Sequence, residues 1–188
     1  MRRKRPASVF ITANDLLHIY ASPMPPRVDR AVLARHFQKG ITFLSTESGD
    51  LSAADILLQL LRLPPDYVDG PALRGATTYR EPTIPEPLFE AATQDVRSFI
   101  QTNKRLPGQV FIGSETLSLA DFAATLAGHV LSPGPVGVAQ GRLEFERYFA
   151  TDAARAFSWA IHPKGFAPVE LLDLARLQGW TLKPARLR

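Results

Sequence analysis

The stretch Leu106–Leu131, LPGQVFIGSETLSLADFAATLAGHVL, decides how the chain folds. Val110, Phe111 and Ile112 form a short β-prone run, a polar turn follows, and Ser118 with Asp121 opens an apolar helix. Three residues separate that serine from that aspartate, the spacing of a capping box. In such a box the hydroxyl accepts a first-turn amide while the carboxylate reaches back to the serine N–H. Gly128 and Pro133 predict the stop of the helix. Nothing in the stretch is chemically reactive, so its polar pair reads as architecture.

The same pattern recurs upstream. Phe43-Leu44, a polar turn and Leu51-Ser52-Ala53-Ala54-Asp55 parallel Phe111-Ile112, a turn and Leu117-Ser118-Leu119-Ala120-Asp121, so both segments read LSxAD. Val9 to Asp15 is a weaker third copy without the turn. Reuse of one supersecondary unit is expected. The intervals, forty residues from Asp15 to Asp55 and sixty-six from Asp55 to Asp121, argue against a regular solenoid.

Around these units the periodicity predicts a strand over 8–11 and a short helix from Thr12. A helix over 28–38 follows, with Val28, Val32, Leu33 and Phe37 on one side, then a strand over 41–44 and a polar turn over 45–50. The helix opened by Ser52 and Asp55 carries Ile56, Leu57, Leu60 and Leu61. Another runs over 88–101 with Leu88, Ala92, Val96, Phe99 and Ile100 on its apolar face. Residues 143–159 read as a helix or helix pair, 168–178 as a last helix, and 180–182 as a closing strand or tail. Sixteen prolines punctuate the chain, so no long helix is expected. The expected class is mainly α with a few short β-strands (α+β), built from small repeated helical units into a compact body. Its divisions are a first unit over 1–63, a Pro/Gly-rich linker over 64–87, a second unit over 88–132 and a C-terminal helical segment over 133–188, packed as one globule. Tyr67, Val68, Leu73, Tyr79 and Ile84 give the linker apolar anchors.

Hydrophobic residues make up 45% and charged residues 21%, a composition that buries a core and excludes wholesale disorder. The net charge of +4 sits at the ends. Arg2, Arg3, Lys4 and Arg5 stand at one terminus and Lys183, Arg186 and Arg188 at the other, while fifteen basic and eighteen acidic residues lie between. Basic termini alone are a weak nucleic-acid signal, because no basic stripe interleaved with stacking aromatics accompanies them.

The absence of cysteine excludes disulfides, thiolate metal sites and thiol nucleophiles. His18, His36, His129 and His162 lie at least eighteen residues apart and none has a second ligand at metal spacing, so no metal and no cofactor is expected. Gly134-Pro135-Val136-Gly137 lacks the pattern of a phosphate loop, and no GxSxG surrounds either serine. Ser52, Asp55, Ser118 and Asp121 are therefore expected as structural caps rather than catalytic groups. Catalysis is the less favoured reading. No signal peptide or membrane span is visible, so membrane insertion is not expected. Location stays open: cell-surface within a larger exported protein, otherwise cytoplasmic. Aromatic rings stack on the apolar faces of sugars, which makes Trp180, Tyr79, Tyr67 and Trp159 the candidate ligand-binding residues.

One stretch carries a resemblance. Ala91, Val96 and Ile100 on a helix, then Asn103-Lys104-Arg105-Leu106-Pro107-Gly108-Gln109-Val110, a turn, and a helix bearing Phe122 and Leu126 resemble the pseudomurein-binding repeat of methanogen surface proteins and wall-cleaving enzymes. The likeness covers residues 88–131 and rests on the LPxxV element. It implies a non-catalytic module adhering to a cell-wall polymer, normally in tandem copies. In residues 27–63, Lys39-Gly40-Ile41 stands where LPxxV belongs, and the catalytic cysteine of the wall-cleaving relatives has no counterpart. A cell-wall polymer or glycan is the expected partner, with an intracellular protein partner, or nucleic acid held by the basic termini, as the alternative.

Overall fold

Local signals set each element of the computed structural model, which describes residues 24–148 and 169–184. The Asp29 carboxylate accepts the Ala31 and Val32 amides and so opens α1 (Arg30–Lys39). This helix buries Leu33, Ala34 and Phe37, whereas Val32 is 42% exposed. The buried stripe is turned toward Ala34 relative to the expected one, because the partner of α1 is an alanine-rich helix that permits close approach.

The residues expected as a polar turn after Phe43 form a hairpin instead. Strand β1 (Leu44–Thr46) pairs antiparallel with β2 (Gly49–Leu51), with Leu44 opposite Leu51 and Glu47-Ser48 at the tip. Its polarity reflects a hairpin with exposed positions, which composition alone reads as loop. Leu51 enters the core and Ser52 caps α2 (Ala53–Leu60). Here the capping box is complete: Ser52 Oγ accepts from Asp55 N at 3.1 Å, and Asp55 Oδ2 accepts from Ser52 N at 2.8 Å.

Beyond β3 (Thr83–Ile84) runs α3 (Glu86–Asn103), eighteen residues long despite the prolines. Pro85 and Pro87 stand at its start, where missing amide donors cost nothing. Its buried face is Phe89, Ala92, Thr93, Val96 and Ile100, while Leu88 and Phe99, expected inside, are 45% and 39% exposed. The helix ends at Lys104 in a left-handed conformation.

Next, β4 (Gln109–Ile112) and β5 (Glu115–Ser118) make a hairpin over Gly113-Ser114. Gly113 has φ 65° and Ser114 no positive φ, the pattern of a type II′ turn matched to strand twist. The α4 helix (Leu119–Leu131) runs straight through Gly128, so this glycine is not its stop. Ala120, Ala123, Ala124 and Ala127 are buried on α4, and a Cβ added at Gly128 would lie 3.5 Å from Gln38 Nε2 of α1. Small side chains here bring the two helices together, and Gln38 Nε2 donates to Ala124 O at 3.3 Å.

Strand β6 (Val136–Gly137) pairs with β3. A 3₁₀ turn at Glu144–Tyr148, the α5 helix (Val169–Gln178) and a 3₁₀ turn at Gly179–Thr181 complete the described chain. One buried cluster joins α1, α2, α3, both long hairpins, α4, Phe145 and Trp180. The architecture is α+β, helices over three two-stranded sheets among the described residues. Each LSxAD segment closes a hairpin and opens a helix. The expected strand over 8–11, the helix from Thr12, most of the 143–159 segment and Trp159 lie outside the described residues.

Candidate functional site

The segment between α2 and α3 runs along the free edge of β5. Thr116 O accepts from Thr78 N at 2.8 Å and from Tyr79 N at 3.1 Å, and Thr116 N donates to Thr78 Oγ1 at 2.9 Å. One residue pair further on, Ser118 N donates to Thr77 Oγ1 at 2.8 Å, and the Thr77 hydroxyl donates to Asp121 Oδ2. Two hydroxyls thus satisfy amides that an edge strand would otherwise leave open.

This corrects the reading of Ser118 and Asp121 as a full capping box. Ser118 Oγ does accept from Asp121 N at 3.1 Å, but the Asp121 carboxylate does not close back on Ser118 N. Thr77 is inserted between them, and Asp121 Oδ1 accepts instead from Gly141 N at 2.8 Å. Asp121 therefore ties three segments together: the helix start, the Thr77 segment and the strand-like run after β6.

From this anchored segment Tyr79 projects into an open groove of about 510 Å³. Ile84 of β3, Pro85 at the cap of α3, Pro135 before β6, and the acidic Glu81 and Glu86 line it with Tyr79. The β3–β6 pairing sets the spacing of the two walls. The Tyr79 hydroxyl donates to Thr83 O at 2.9 Å, which fixes the ring at the groove edge. Desolvation, followed by Glu81 and Glu115, raises the pKa of this phenol above its ordinary value. The groove combines a fixed aromatic ring, two prolines and two carboxylates.

Of the candidate aromatics among the described residues, Tyr79 alone lines the groove. Trp180 is 3% exposed, with its ring edge-on to Phe145 at a centroid distance of 5.8 Å. The expectation of a ligand face there is corrected: a 3₁₀ turn swings the ring inward, and the core gains its largest side chain near that end. Tyr67 is 67% exposed beside the Lys104–Asp66 ion pair and lies apart from the groove lining. Glu81, Pro85 and Glu86 escape a reading of the sequence because EPTIPEP looks like linker, and Pro135 because its segment looks like a break, until β3 pairs with β6.

The polar groups at the start of α2 engage one another. Ser52 Oγ donates to Asp55 Oδ2 at 2.8 Å, and Lys183 Nζ reaches the same oxygen at 2.7 Å. No histidine partners either cap serine among the described residues. Among the described residues no grouping of metal-ligating side chains occurs and no helix is long and apolar enough to cross a membrane. A scan against protein-family models, a search of curated proteins and a search of solved structures each return no match to the chain.

Proposed function

We propose that the chain is a non-catalytic binding module for a cell-wall polymer or glycan, held in the groove beside Tyr79. The observation that carries this reading is the groove itself: an open trough suits a chain passing through it, and a fixed ring flanked by carboxylates suits a sugar, ring face to apolar face and oxygens to hydroxyls. The resemblance of residues 88–131 to the pseudomurein-binding repeat supports a wall polymer as ligand. The basic-terminus alternative draws less support, because Lys183 is engaged by Asp55.

The test is retention on purified wall polymers and soluble glycans. Tyr79→Ala is expected to lose most retention, Tyr79→Phe to keep the stacking surface, and Glu81→Gln with Glu86→Gln to weaken it. A stacking ring contributes roughly 1–1.5 kcal/mol, about a tenfold loss on removal. Absence of retention on every polymer, or full retention by Tyr79→Ala, rejects the reading.

A further inference from the structure

Three arginines from three elements stand at the C-terminal end of α2. Arg30 Nη2 of α1 donates to Leu60 O at 2.6 Å, Arg97 Nε of α3 donates to the next carbonyl, Leu61 O, at 2.8 Å, and Arg62 follows directly in a left-handed conformation with φ 57°. A helix C-terminus presents about half a negative charge, enough to account for one of these cations. It leaves most of the charge of three guanidiniums uncompensated.

No carboxylate among the described residues supplies the difference. The ion pairs between described residues leave Arg30, Arg62 and Arg97 aside and use Arg74, Lys104, Arg105, Arg142, Arg147, Arg176 and Lys183. The Arg30 Nε is moreover buried without a hydrogen-bond partner. Burial, then Arg62 and Arg97, lowers the pKa of Arg30, as expected for like charges held together. One turn before Arg97 on the same face of α3, Thr93 is 8% exposed and its Oγ1 is likewise buried and unpartnered. A structural cap explains the two carbonyl contacts. It explains neither the third arginine nor the orphaned donors.

We propose that this end of α2 is an anion site for a phosphate-type oxyanion, with Arg30, Arg62 and Arg97 as its ligands. A phosphate monoester carries close to two negative charges and several acceptor oxygens, which suits planar guanidinium forks approaching from different sides. The oxyanion can come free in solution or as the phosphodiester of a polymer. The site stands apart from the groove residues and does not depend on the reading given to them.

The experiment follows the melting temperature and the Arg Nε–Hε resonances against inorganic phosphate, with chloride at matched ionic strength as control. The same titration with poly(glycerol phosphate) separates a polymer-borne source from a free one. Phosphate at tenfold its dissociation constant is expected to raise Tm saturably by roughly 3–6 °C. Selective shifts of the Arg30 and Arg97 signals should accompany it. Tighter saturation by the polymer assigns the diester source, and tighter saturation by phosphate the free one. Arg62→Gln removes an exposed side chain with no bond to the fold, so it should fold normally and weaken the response severalfold. A non-saturable rise shared by Arg62→Gln, the behaviour of an excluded salt, or unmoved arginine signals, overturns the site.

Discussion

Thr77 shows how one hydroxyl can decide the character of a helix start. It accepts from Ser118 N and donates to Asp121, so both partners are satisfied through it. Thr77→Val keeps the shape and removes the bridge, leaving an amide and a carboxylate oxygen short of a partner. The expected loss is about 1–3 kcal/mol, read as a lowered denaturant midpoint; Thr77→Ser should restore most of it. Equal stability of the valine variant would show the bridge to be idle. Gly141, whose amide reaches the same carboxylate, is equally constrained, since a Cβ there would collide with Ala120 O. Backbone meets backbone, so Gly141→Ala should cost roughly 1–3 kcal/mol, the scale of overpacking. Tyr79 gives a pH signature at this scale. Its phenol pKa is raised in the fold above 10.0, so on raising the pH the unfolded chain loses the proton first. The contribution is absent below that unfolded value; above it stability declines, levelling once pH passes the folded pKa. Tyr79→Phe should remove this part of the alkaline slope in pH-dependent unfolding.

At the level of elements, α2 and α4 were legible because a cap and a period coincide in the sequence. Ser52 with Asp55 and the Ile56, Leu57, Leu60, Leu61 stripe marked α2 correctly, because every group involved is local in sequence. The identical LSxAD spelling at 117–121 gave a different network, since Thr77 lies 41 residues from Ser118 and 44 from Asp121 and no local spacing announces it. Polar hairpin residues 45–50 passed for a loop because alternation needs more than three residues per strand to be seen. The groove was legible only as Tyr79: its other wall arises from β3–β6 pairing across 52 or more residues of chain, Ile84 to Val136. Glycine usually follows a helix and so predicts a stop at Gly128, whereas here it lies inside α4, where a Cβ would only touch Gln38 of α1. The two roles predict opposite outcomes. A terminating glycine resists replacement, but a glycine inside a helix with only ordinary contact at its Cβ gains from it. Gly128→Ala is expected to stabilise by about 0.5–1 kcal/mol in equilibrium unfolding, and destabilisation would return it to the role of a cap.

On the scale of the whole molecule, the described C-terminal residues clamp the first LSxAD helix to the rest. Trp180 packs edge-on against Phe145 in the common core, Gln178 Oε1 accepts from Gly70 N at 3.0 Å, and Lys183 Nζ reaches Asp55. The clamp therefore joins α2, the segment after it and the 3₁₀ turn at Glu144, three parts that are remote in sequence. Trp180→Ala should cost about 3–5 kcal/mol, as removal of a large buried ring does, with both α2 and the Gly70 segment losing amide-exchange protection together. The ion pair separates a clamp from simple packing. Asp55 retains its two Ser52 bonds when Lys183 is lost, so the single change Lys183→Met leaves a buried carboxylate with its serine partners but no counter-charge. Asp55→Asn removes the charge that Lys183 answers. If the pair holds the clamp, the double variant should be less destabilised than the sum of the two single ones, with a coupling of roughly 0.5–3 kcal/mol. Strict additivity would leave Trp180 and the Gln178–Gly70 bond as the anchors and reduce Lys183 to one more cation of the basic terminus, which would restore weight to an electrostatic role for that end of the chain.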